Sequence, residues 1–461
     1  MKLFTLDGRF SLEKFVADQI AAFTDSKDSF AVSFLFHQFY LPEQSHIELT
    51  ACLYVDQACA SSLIYLSIFP SKVNLTQQIQ SVENDLNSFK AFITTNDLPI
   101  VEVSAPWILE PVYIPKPWGQ EIWYTGIEAR GQAKIKGMRG SIPLPWVMAA
   151  FPQADHGTLI LLKVLDPLPD DVYGDLYFEL HEKKQEVYVV THIDPSAWPN
   201  GDGCIQLGFS DSTLALYPSV DEFKKAYLES VKFYEEVRRK LDQEIDTLRE
   251  QDGIARNAPV SAEKLKYWIN CISQSSENKT LLKQESVLRN RMNSFVNHLP
   301  LKVGDTLAVP CHVPHALQHG VRVIEFQTPV YERKILSFAQ KVLTQEHWDT
   351  EEALSLVDFT SNQRSIPKLI AQTDSLKQEE IVHFDDFTVH RFVLSRGSFR
   401  HQNDCYSLVV VIRGKLELTW GMNRKEFQAG ESLLLSELLG EEVNFTAADS
   451  CLFLLAFPSV Q

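Results

Sequence analysis

The stretch SVDEFKKAYLESVKFYEEVRRKLDQEIDTLREQDG, residues 219–253, constrains the fold more than any other. Its Phe223, Tyr227, Val231, Tyr234, Val237, Leu241, Ile245 and Leu248 recur at spacings of three and four. That period marks one long amphipathic helix. On either side the chain reads as short strands. PVYIPKPWGQEIWYTG, GTLILLKVLDPLP, GDLYFELHEKKQEVYVVTHI and GDGCIQLGF precede the helix, and LPLKVGDTLAVPCHVPHALQHGVRVIEFQTPVYERKI follows a second helical stretch over residues 261–297. Short strands punctuated by Pro and Gly build sandwiches or barrels. The helices, about residues 219–297, are therefore expected to be an insertion within one β domain covering residues 106–375.

A chain of 461 residues exceeds one ordinary core, so further domains are expected. Residues 376–461 are again strand-like. VVVIRGKLELTWG followed by FQAGESLLL echoes the layout of the first β segment, as a weak internal repeat would. This segment has no H-x-H and no His after the Gly of AGESLLL, so it is expected to bind no metal and to serve packing. Residues 1–105 alternate helical SLEKFVADQIAAF with strand-like SFAVSFLFHQFYLP and HIELTACLYVD, a small α+β module in which no chemistry is evident.

The net charge of −17 offers no basic stripe to a nucleic acid. No apolar run approaches the ~20 residues of a membrane span. MKLFTLDGRFSLEKF lacks the apolar core of a secretion signal, so the expected location is the cytoplasm. Seven scattered cysteines without C-x-x-C fit reduced, mostly buried thiols. Nothing in the sequence fixes an oligomeric state.

Two stretches carry chemistry. If LYFEL and EVYVV pair as a hairpin, Glu179 and His181 share a face by the period of two, and Glu186 on the returning strand meets them. Two carboxylates and an imidazole suit a divalent cation such as zinc, with manganese, iron or nickel as alternatives. In GDTLAVPCHVPHAL, Gly304 is followed by Pro310 and then His315 at intervals of six and five positions. This spacing resembles the second cupin motif, G-x5-P-x-G-x2-H-x3-N, with His312 at the second Gly and His319 at the Asn. ELHEKKQE resembles the first, with Glu179 in place of its leading His. The resemblance implies that Glu179, His181, Glu186 and His315 converge on one metal, in a mainly β protein of two cupin (jelly-roll) barrels.

In this order the motifs also resemble the type I phosphomannose isomerases over roughly residues 106 to 461. KPWGQEIW is similar to that family's P-W-G motif, KQEVYVV to its GKTEMWYIL, and VYERKI to the segment with its active-site arginine. The resemblance implies a zinc-dependent interconversion of mannose 6-phosphate and fructose 6-phosphate through a cis-enediol. It places His181, Glu186, His315 and Glu179 on zinc, Lys184 and Arg333 at the substrate, and Glu325 at the active-site wall. Lys184 and Glu325 would then lie on the proton path, and Arg333 would bind the phosphate with its planar fork.

The chain also departs from that family. Only EKKQ separates His181 from Glu186, where the family has a much longer segment. Tyr177 stands at a phosphate-binding Ser, and Glu179 replaces a Gln, adding negative charge beside the metal. The alternatives are a cupin of the same descent acting on another sugar, and a non-catalytic sugar-binding protein.

Overall fold

The computed structural model describes the chain except residues 8–10, 24–25, 44, 59–61, 154–158, 257, 259, 361–365 and 460–461. Two compact units emerge. The first comprises Met1–Val112, Trp123–Lys163 and Pro367–Gln461, and the second Tyr113–Ile122 and Val164–Ile366.

The first unit holds two β cores. Its N-terminal part is a five-stranded sheet in the order Lys2–Thr5, Lys27–Gln38, Ser45–Asp56, Leu63–Pro70, Val101–Glu102. The helices Leu12–Ala21 and Leu86–Thr95 start at Ser11 and Asp85, whose side chains accept backbone N–H groups of the first turn. Tyr54, Phe89, Phe92 and Ile93 belong to the core of this part. The C-terminal part centres on the pairing of Phe387–Gln402 with Glu442–Pro458. Phe392, Phe453 and Phe445 stack across it at 4.9 and 5.4 Å. Trp107–Glu110 joins this sheet beside Ser432–Leu435. Residues 107–110, assigned from the sequence to the 106–375 domain, are thus claimed by a strand more than 300 positions on. The three-part division at 105 and 375 therefore differs from the two units found here.

The second unit packs two sheets over one core. The six-stranded sheet runs Thr306–Val309, Glu186–Ile193, Val321–Gln327, Leu161–Pro167, Gly119–Trp123, Val112–Lys116. The five-stranded sheet runs Val296–Leu301, Gly203–Phe209, His315–Leu317, Phe178–Leu180, Lys334–Ser337. Tyr188, Val190, Leu307 and Val323 from the first meet Phe178, Leu207, Leu317 and Ile335 from the second.

The inserted helix spans Val220–Gln251, and the Ser219 side chain accepts the Glu222 N–H at its start. Phe223, Tyr227, Val231 and Tyr234 bury against the sheets' core, as their spacing requires. The charged residues of this helix do not all face water. Arg238, Asp242 and Arg249 are buried, with Arg238 donating to Asp242 at 2.6 and 2.9 Å. The 261–297 stretch forms two helices, Ala262–Ile272 and Ser276–Asn293, the second capped by Ser275. No helix among the described residues is long and apolar enough to cross a membrane. The described cysteines are free thiols, but only Cys52 and Cys451 are buried and Cys271 is exposed; Cys59 lies outside the described residues.

Candidate metal centre

The stretch carrying most of the sequence-derived ligands does not form the expected hairpin. Phe178–Leu180 lies in the five-stranded sheet, between His315–Leu317 and Lys334–Ser337. Glu186–Ile193 lies in the other sheet, between Thr306–Val309 and Val321–Gln327. EKKQ is a bridge from one sheet to the other, and its ends bring His181 and Glu186 together where the sheets converge. Glu179 pairs with His315 in register, which puts both side chains on one face.

The Glu332 carboxylate holds this bridge. One of its oxygens accepts the backbone N–H groups of Glu182 and Lys183 at 2.7 Å and of Lys184 at 3.2 Å. Burial opposes the charge on Glu332, yet those N–H groups and nearby His181 hold its carboxyl below the usual range. The His312 N–H donates to the His181 carbonyl at 2.7 Å, fixing the other end.

His181, Glu186 and His315 converge, with one ligand atom from each within 4.8 Å of the others, and all three are buried. His181 Nε2 stands 3.4 Å from one Glu186 oxygen and His315 Nε2 stands 3.2 Å from the other. His315 Nδ1 lies 3.0 Å from the Val313 carbonyl. A proton on Nδ1 donates to that carbonyl and leaves the Nε2 lone pair facing the carboxylate, as in a metal-ready imidazole. Neither ring nitrogen of His181 completes a hydrogen bond among the described residues. Burial, reinforced by Lys184, pushes the His181 imidazole toward its neutral, ligating form. Two imidazole lone pairs aimed at one buried carboxylate fit a divalent cation between them.

Glu186 is itself closely held. Lys184 Nζ is 2.7 Å from one oxygen, and the Tyr188 hydroxyl donates to the other at 2.6 Å. Burial works against its charge, but Lys184 and His181 keep its carboxyl well below the usual range. Tyr188 sits opposite Glu325 in the sheet, and Glu186 opposite Gln327, so a buried polar row continues inward from the metal group.

The remaining sequence-derived residues lie around this group. Glu179 is outside the converging three: one oxygen is 4.0 Å from His181 Nε2 and the other 3.8 Å from Arg333. Arg333 donates to the Thr344 hydroxyl at 2.7 Å and lays its guanidinium over the Tyr177 ring at 4.6 Å. Tyr177 is buried against Phe338, centroid to centroid 4.2 Å. Lys116 and Glu121 pair at 3.0 Å, and the charge of Glu121 reaches both Arg333 and Tyr177.

Tyr188, Glu332 and the Lys116–Glu121 pair were not singled out from the sequence. Tyr188 follows Glu186 by two, so strand alternation alone places it on the same face. Glu332 carries no such signal. His319, at the motif's Asn position, is engaged elsewhere, 2.7 Å from Asp175 and stacked on Trp198 at 4.8 Å.

Two facing sheets with a buried His–Glu–His group where they converge define a mainly β, metal-site architecture. No family model and no curated protein matches the chain. Solved structures do share its fold. Mannose 6-phosphate isomerase from Bacillus subtilis matches at 13% identity and TM-score 0.51, covering 77% of this chain and 99% of that one. A mutant of phosphomannose isomerase from Salmonella typhimurium matches at 12% identity and TM-score 0.52, covering 77% and 100%. A zinc-bound mannose 6-phosphate isomerase gives the same figures. At these identities the likeness establishes the fold.

Proposed function

We propose that the second unit is a cupin barrel housing a metal-dependent aldose–ketose isomerase, and that the C-terminal β core is a second, metal-free cupin barrel. The observation that carries this reading is the convergence of His181, Glu186 and His315 within 4.8 Å in a buried site. Zinc, or manganese, iron or nickel, would be held by these three, with Glu179 as fourth ligand. Such an ion would polarise the sugar's carbonyl and hydroxyl oxygens as a Lewis acid.

The chain's own groups supply the rest. Lys184, fixed by Glu186 and by the Glu332-held backbone, is the group we assign to pass a proton between C1 and C2 of an open-chain sugar. Glu325, on the same sheet face, is the alternative proton acceptor. Arg333 lies across Glu179 from the metal group and orients the far end of the substrate. The packed walls around Tyr188 and Tyr177 exclude water from an enediol.

Mannose 6-phosphate to fructose 6-phosphate, the reaction of the proteins that share the fold, is the first conversion to assay. The test joins elemental analysis of purified protein with a coupled isomerase assay. About one metal per chain, lost in His181→Ala and His315→Ala, together with turnover lost in Lys184→Ala, supports the reading. Metal without turnover of any aldose sinks the enzyme and leaves a metal-bound sugar-binding protein. One observation favours another sugar as substrate: Lys184, Arg333 and Lys116 each face a carboxylate.

A further inference from the structure

Lys184, Arg333 and Lys116, three basic side chains of this region, each face a carboxylate. Lys184 lies 2.7 Å from Glu186, Arg333 3.8 Å from Glu179, and Lys116 3.0 Å from Glu121. Arg333 is committed further. One terminal nitrogen points at Glu179, another donates to Thr344 at 2.7 Å, and its flat face covers Tyr177. A guanidinium grips a phosphate through two parallel N–H bonds from one edge, and here one terminal nitrogen already donates to Thr344 while the other faces the Glu179 carboxylate at 3.8 Å. The Tyr177 ring, packed between Phe338 and Arg333, fills the place beneath the guanidinium.

The donor and acceptor balance points the same way. Glu325 stands beside the ligand carboxylates Glu179 and Glu186, and Glu121 adds its charge at Arg333 and Tyr177. An ionised carboxylate only accepts hydrogen bonds. Sugar hydroxyls supply donors for it, and O–H···O⁻ bonds are among the strong ones. A phosphate dianion supplies acceptors alone, while Lys184, Arg333 and Lys116 are each already set against a carboxylate.

We propose that the site selects an uncharged sugar, a free aldose and its ketose, over the corresponding phosphate monoester. This rests on the isomerase reading for its chemistry, but its binding arm stands apart from turnover.

The experiment uses the full chain with its metal content measured. Calorimetry follows binding of mannose, glucose and fructose and of their 6-phosphates, and NMR follows isomerisation of each. The expected result is that a free hexose binds and is converted with kcat/KM at least about tenfold above its 6-phosphate. Glu179→Gln and Tyr177→Ser, compared at equal metal occupancy, should each narrow that ratio. Equal or better use of the 6-phosphates overturns the proposal and leaves the isomerase reading intact. Free hexose that binds without conversion sinks the isomerase reading and keeps the ligand preference. If no free hexose binds, the proposal is wrong.

Discussion

Tyr188→Phe tests how the metal group is held. The Tyr188 hydroxyl donates to a Glu186 oxygen at 2.6 Å, and both side chains are buried. Phenylalanine keeps the ring and its packing, so the change removes one hydrogen bond and little volume. A hydrogen bond to a charged group is worth roughly 1.5–3 kcal/mol. What remains is a Glu186 oxygen with His315 Nε2 at 3.2 Å and no hydroxyl to fix its rotation. Partners of ligands at this remove set metal affinity by about 10–100-fold, or roughly 1.4–2.8 kcal/mol. Competition against a chromophoric chelator at neutral pH should therefore show metal binding weakened by that factor. The melting temperature of the metal-free protein should fall only modestly, because no cavity is opened. Metal affinity unchanged within about twofold, with the melting temperature lowered, would refute the reasoning and reduce Tyr188 to a packing residue.

Glu332→Ala removes the acceptor for three backbone N–H groups of the bridge, so kcat should drop about tenfold while metal content holds and stability falls by about 1 kcal/mol; steady-state kinetics with elemental analysis decides. His401 is held neutral, its pKa lowered from 6.5 to about 4 by burial and by His390. The unfolded chain binds that proton first, so stability is whole above pH 6.5 and is lost as pH falls toward 4, by up to about 3 kcal/mol. Denaturant titrations of the wild type and His401→Gln across that range should differ in slope. His312 has φ 68°, so His312→Val should destabilise by about 1–2 kcal/mol and His312→Gly should not, as thermal melts would show.

His312 also shows what a sequence can hide. It occupies a motif position belonging to glycine, and by residue type alone it reads as a departure. The backbone there is left-handed all the same, and its N–H meets the His181 carbonyl at 2.7 Å. The long helix was legible for the opposite reason: apolar spacing and the Ser219 cap are local signals, and they fix Val220–Gln251 together. Its buried Arg238 and Asp242 were not legible, because charged residues turn inward only where a partner awaits them, here each other, four positions apart. The approach of His181 and Glu186 was readable, but not the reason for it. Strand alternation tells which side chains share a face and says nothing about which sheet a strand joins. Phe178–Leu180 chose His315–Leu317 and Lys334–Ser337 as neighbours, and that choice is made by residues far along the chain.

The shortness of EKKQ then takes on a different meaning. Stacked sheets lie about 10 Å apart, and an extended chain covers about 3.3–3.6 Å per residue. Four residues leave little length for a loop that could move. Glu332 removes more of it by taking all three N–H groups from Glu182 to Lys184. His181 at one end, Glu186 at the other and Lys184 between them are consequently positioned by one short segment curled around the Glu332 carboxylate. The His181–Glu186 ligand pair and the Lys184 side chain beside it cannot shift independently. The ligands thereby gain fixed geometry from the backbone itself. Such preorganisation is what a site for a small substrate needs, since each ligand is already held where a bound ion would meet it.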